Sequence, residues 1–172
     1  GGALTSIAGS FFNINGNMQV GPKYAFGGAI GNDQINPMFY IPNQDLYTVH
    51  PDFLADGEAG DLRVSDKTSP YDPNLEGLPP TLDDLFGDTQ VALFSSNTDP
   101  FPIIRNEELI LIYAETQIGS DVNEVLAGIN RVRNAAGLGN YLGSTDDNSL
   151  LNAVLRQRRY SLFGEGHRWV DL

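Results

Sequence analysis

The sequence contains no cysteine. That excludes a disulfide scaffold, a thiol nucleophile and any Cys-ligated zinc or iron site. Basic residues are scarce, with 10 lysines and arginines against 22 aspartates and glutamates and a formal net charge of −12. A surface this acidic repels phosphate backbones, so nucleic acid is not an expected partner. Histidine occurs twice, at His50 and His167, in neither a His-x-x-x-His nor a His-Glu-x-x-His spacing. A histidine metal site is therefore not expected, and no cofactor is implied. With those two residues as the only bases and no Gly-x-Ser-x-Gly elbow, a serine triad is not expected either. The glycine run at 27–31 has Phe26 where a phosphate-binding fingerprint needs glycine, and no capped helix follows it. No apolar run approaches the roughly 18 residues that span a bilayer.

What is present is uneven. Of 172 residues, 19 are glycine and 10 proline, and hydrophobic residues make up 41%, enough for a core joined by much irregular loop. Residues 1–100 carry 3 basic and 13 acidic side chains, and residues 101–172 carry 7 and 9. The first part reads as loop-rich. Residues 4–14 (LTSIAGSFFNI) and 89–94 (TQVALF) have strand character. Residues 43–54 (NQDLYTVHPDFL) read as partly helical, with Asn43 as cap, Leu46, Tyr47, Val49 and Phe53 inward, and Pro51 breaking or restarting the turn. Residues 65–80 read as turn and loop. The acidic stretch 52–63 lacks the oxygen spacing of an EF-hand and reads as a solvated loop rather than a Ca²⁺ site.

The last seventy residues read as helices. After Pro102, apolar residues at 109, 112 and 113, widened by 110 and 114, predict a helix over about 103–118, ended by Gly119. Asp121 stands three residues before Glu124, a capping-box spacing that opens a helix over about 121–136. Two helices joined so briefly must form an antiparallel hairpin. A third helix starts near 147. Leu109, Ile112, Tyr113, Val125, Leu126, Ile129, Leu151, Val154 and Leu155 are the predicted core. Glu165, Arg168 and Asp171 would then lie at i, i+3 and i+6 of one helix, an ion-pair ladder beside Trp169, which is expected in the core. Arg105 and Glu108 read as a pair of the same kind.

Three linked stretches carry a resemblance. PIIRNEELILIYAETQ, VLAGINRVRNAAGL and LLNAVLRQRRYSLFGEGHRWVDL resemble, in order, successive helices of the SusD/RagB family. Within the last, Arg158, Arg159, Leu162, Glu165, Gly166, Arg168, Trp169, Asp171 and Leu172 match the family signature, while Gln157 and Ser161 stand where it usually has glutamates. Those departures weaken a local ion-pair network and leave the Glu-Gly-x-Arg-Trp-x-Asp-Leu core intact. Residues 37–66 resemble the family more weakly.

The resemblance implies a mainly α fold with a loop-rich, short-strand region, a tetratricopeptide-like αα-hairpin and a further helix. Residues 1–100 and 101–172 would both belong to one larger SusD-like domain. It further implies a surface-exposed lipoprotein of the Gram-negative outer membrane that captures glycans or peptides for a SusC-like TonB-dependent transporter. The parent protein would be tethered by an N-terminal lipid, and this chain, which opens Gly-Gly-Ala-Leu, is expected to be a middle-to-late slice of it.

Sugar contacts are expected on aromatic residues, because the C–H face of a pyranose packs on an aromatic ring while its hydroxyls seek amides and carboxylates. Tyr24, Phe39, Tyr40 and Tyr71 lie in polar, glycine- or proline-rich loops beside Asn32, Asp33, Gln34, Asn36 and Asp72 and are the candidate ligand contacts. The same residues also suit pinning of a loop to the core. The expected function is therefore non-catalytic glycan capture. The rival is a tetratricopeptide-like scaffold that binds only protein. A two-carboxylate glycosidase ranks third, since the abundant acidic residues form no recognisable pair.

Overall fold

The computed structural model describes residues 48–70, 89–94, 102–169 and 171. They fall in two compact units, residues 48–70 and 89–94 in one and residues 102–169 and 171 in the other. The expected strand at 4–14, the proposed cap Asn43, and Leu46 and Tyr47 lie outside the described residues.

In the first unit, helix α1 (Pro51–Ala55) begins at Pro51, where a missing N–H costs nothing. The His50 imidazole caps it, Nδ1 accepting from the Asp52 amide at 3.2 Å. Pro51 therefore restarts the chain as a helix, and Val49 and Phe53 are buried as expected. Helix α2 (Leu62–Lys67) follows, capped by Asp61. Strand β1 (Thr68–Pro70) then pairs antiparallel with β2 (Thr89–Val91), in the register Thr68 to Val91 and Ser69 to Gln90. Thr48 bridges to Gln90 from the other side.

Two expectations are corrected here. Residues 65–70 complete a helix and form a strand where turn and loop were expected, and in the stretch 52–63 residues 52–55 and 62–63 are helical while 56–61 remain turn and loop. The cause is Asp61. Its carboxylate takes the Arg63 amide at 3.0 Å and both ends of the Arg63 guanidinium at 2.8 and 2.6 Å, so it starts a helix and is buried with its charge matched.

The second unit is a three-helix assembly of α3 (Asn106–Thr116), α4 (Val122–Ala135) and α5 (Asp147–Ser161). The hairpin of α3 and α4 and the third helix appear where the spacing placed them, although α3 starts three residues later than expected. Asp121 caps α4, accepting from the amides of Asn123 (2.9 Å) and Glu124 (3.3 Å). At its far end the Gly137 amide bonds to Asn134 O and the Leu138 amide to Arg133 O, the Schellman closure, which requires the left-handed conformation Gly137 adopts (φ 80°). Buried Arg133 adds a bond from Nε to Gly139 O at 2.8 Å.

The core joins Ile110, Leu111 and Ala114 of α3, Val125, Ile129 and Val132 of α4, and Leu150, Ala153 and Val154 of α5. Val125, Ile129 and Val154 are as predicted, and Leu126 and Tyr113 pack at its edge. The face of α3 is corrected. Ile112 is exposed and Leu109 half-buried, while Ile110, Leu111 and Ala114 face inward. Residues 109–112 are an unbroken apolar run, so periodicity specifies no face there, and contact with both α4 and α5 settles it. On α5, Leu151 and Leu155 are only half-buried and Leu150 and Ala153 point inward instead. Helices α3 and α4 meet closely where Gly128 faces Ala114. A Cβ on Gly128 would lie 2.7 Å from that of Ala114.

Candidate functional site

The signature residues converge at the end of α5. This helix stops at Ser161, and Leu162 turns out of it. Gly164 and Gly166 adopt φ of 79° and 81°, a left-handed conformation that a side-chain-bearing residue resists. A single 3-10 turn, His167–Trp169, follows. Glu165, Arg168 and Asp171 therefore do not share a helix, and the expected ladder is not formed.

The charges reach other elements instead. Glu165, with its side chain 8% exposed, ion-pairs with Arg105, the residue before α3. Asp171 accepts from Arg158 of α5 at 2.9 Å. The same guanidinium donates to Glu115 of α3 at 3.1 Å, so Arg158 joins α3, α5 and the terminal segment. His167 Nδ1 lies 3.7 Å from Glu108 Oε1. Arg105 and Glu108, expected to pair with each other, thus face instead Glu165 of the signature and His167 within it. Arg168 is exposed and has no ion pair among the described residues. Arg159 and Arg156 flank the Tyr160 ring at 5.6 and 6.0 Å from its centre.

Trp169 is also corrected. Its side chain is exposed, at 87%, where a core position was expected. The glycine-bounded turn carries it away from the α5 face, which ends on buried Tyr160 and Leu162. The two departures from the signature, Gln157 and Ser161, are buried. A neutral amide and a hydroxyl there spare the fold two buried carboxylates.

Two side chains around this core titrate away from their ordinary range. The Asp146 carboxyl that opens α5 is pulled down to about 2, first by the Ser149 hydroxyl, then by the Ser144 hydroxyl and the Ser149 amide. The Tyr113 hydroxyl is pushed up, first by desolvation and then by Glu124 and Asp121 across the hairpin.

Chemically, the arrangement is a set of ties between elements. Each signature carboxylate carries a guanidinium from another part of the unit, rather than facing a second carboxylate across a space for substrate. The Asp61 carboxylate, in the stretch considered for Ca²⁺, is taken up by Arg63. Among the described residues no group of three or more carboxylates and imidazoles is placed to hold a metal. The candidate ligand contacts Tyr24, Phe39, Tyr40 and Tyr71 all lie outside the described residues. Glu115 was given no role from the sequence, although it closes the Tyr-Ala-Glu motif of the family-like helix.

Residues 84–172 match the model of the SusD family. The chain belongs to the SusD family. Its fold is also similar to that of a SusD superfamily protein from Parabacteroides distasonis, solved by crystallography, with a TM-score of 0.58 and 19% identity. The similarity covers 87% of this chain and 37% of that one, so the chain spans little more than a third of the relative's length. No curated protein matches the chain. Membership puts the ion-paired turn in context: two residues that mark this SusD chain, Glu165 and Asp171, tie the turn after α5 to Arg105 and Arg158.

Proposed function

We propose that the protein is the binding component of a nutrient-uptake system, capturing glycans at the outer membrane without cleaving them and passing them to a SusC-like TonB-dependent transporter. The observation that carries this reading is membership in the SusD family over residues 84–172. The signature carboxylates Glu165 and Asp171 support it, since they are engaged in ion pairs that fasten the fold. On this reading the parent is a surface-exposed lipoprotein held by an N-terminal lipid, and residues 1–100 and 101–172 are parts of one larger domain.

Ligand contact falls to the loop aromatics Tyr24, Phe39, Tyr40 and Tyr71, with neighbouring amides and carboxylates serving the sugar hydroxyls. Each stacked ring contributes on the order of 1 kcal/mol. The test is affinity for oligosaccharides in the four alanine variants. A several-fold weakening in at least one supports the assignment, and unchanged affinity in all four removes these loops from the site. Co-purification of the parent with a TonB-dependent transporter from outer membranes tests the partner. Recovery of the parent alone from gently solubilised membranes contradicts it.

A further inference from the structure

Helix α1 is capped by an imidazole, where an oxygen of Ser, Thr, Asn or Asp is the common choice. A neutral imidazole accepts through one nitrogen only, and an imidazolium through neither. Pro51 has no N–H, and the Phe53 amide bonds to His50 O at 2.9 Å, so the Asp52 amide is the donor left to the cap. It bonds to His50 Nδ1 at 3.2 Å, which assigns the ring proton of the neutral form to Nε2. A second group faces the same nitrogen: Asp52 Oδ2 lies 3.7 Å from Nδ1, and both side chains are 74% exposed, open to protons from solvent. The adjoining strand offers neutral groups, Thr48 bridging to Gln90 and the Val49 amide bonding to Thr89 O. In α2 the charges of Asp61 and Arg63 are set against each other.

We propose that His50 is a pH-dependent cap, which holds the Asp52 amide while the ring is neutral and exchanges it for the Asp52 carboxylate when the ring is protonated. Histidine ordinarily changes charge between about pH 5 and 8. Once Nδ1 carries a proton it can no longer accept from the amide and donates to Oδ2 instead. Two effects oppose each other in the protonated form. A positive charge at the N-terminus of a helix is unfavourable, and the exposed ion pair returns a small gain. The cap therefore changes partner without a large difference in stability between its two forms. The change is also confined. Val49 and Phe53, 2% and 4% exposed, hold the chain on either side of the cap. Acid thus acts on the first turn of α1, beside the point where Thr48 and Val49 join β2.

An NMR titration of the full chain from about pH 8 to 5, above the ordinary range of carboxylates, tests this. At the alkaline end the ring nitrogen shifts of His50 should report the proton on Nε2. On acidification the Asp52 amide should shift along one curve whose midpoint equals that of the His50 ring, while the Val49 and Phe53 amides keep their hydrogen bonds. His50→Asn keeps a capping oxygen that does not titrate, so in that variant the Asp52 amide should stay in place across the whole range. A proton on Nδ1 at the alkaline end overturns the proposal. So does an Asp52 amide that ignores the titration of His50, or one that moves equally in His50→Asn.

Discussion

Arg105 and Glu165 are sixty residues apart and form one ion pair, joining the entrance of the first hairpin helix to the turn that follows the last helix. Its counterpart, Arg158 with Asp171, closes the same turn from the α5 side. The signature of this SusD chain thus acts through contacts between elements, and its members are not interchangeable. Arg168→Ala should change stability by no more than about 0.5 kcal/mol, as for an exposed side chain that has no ion pair among the described residues. Asp171→Ala removes a charged acceptor from a largely buried guanidinium and should cost about 1.5–3 kcal/mol. Urea unfolding of the two variants makes the comparison, and equal effects would contradict the pairing.

The hairpin makes a second demand. Gly128→Ala places a methyl group 2.7 Å from the Ala114 Cβ. Overpacking of this kind costs about 1–3 kcal/mol, against a gain of about 1 kcal/mol in helix propensity. Net destabilisation is expected in thermal unfolding. Adding Ala114→Gly reopens the space, so the double variant should lose less than the sum of the two single losses.

The face of α3 can be tested directly. Leu111→Ala should cost about 2–5 kcal/mol, as for a buried leucine. Ile112→Ala, at a position 42% exposed, should cost about 1 kcal/mol or less. Chemical denaturation of both variants decides between the observed face and the one that periodicity suggested.

How much was legible follows from these cases. The helix ends could be read because they are local chemistry: Asp121 accepting from its own first turn, Gly137 supplying a left-handed closure. The α3 face was not legible, because Leu109 to Ile112 offers four apolar residues in a row and packing on two neighbours selects among them. The ion pairs were assigned to the wrong partners for a related reason. Spacing of three along the chain implies a shared face only where the chain is helical, and Gly164 and Gly166 end that condition at the signature. The family was legible from linked motifs. The exposure of Trp169 depends on where the turn points, which no local pattern states.

The α5 cap gives the pH dependence. Asp146 titrates at about 2 in the folded protein, against an ordinary 3.8. A carboxyl with a lowered folded value stabilises the fold above its unfolded value. That contribution is lost as pH falls from about 3.8 toward 2. Thermal midpoints across this window should fall for the unaltered protein, and the fall should be shallower for Asp146→Asn, which keeps a capping oxygen without the charge.

The central claim is capture without chemistry, and isothermal titration of the protein with oligosaccharides tests it most directly. The predicted result is a saturable series of heats, each returning to baseline, for at least one glycan class. Sustained heat flow after each injection, the mark of turnover, would contradict it, as would no heat with any glycan.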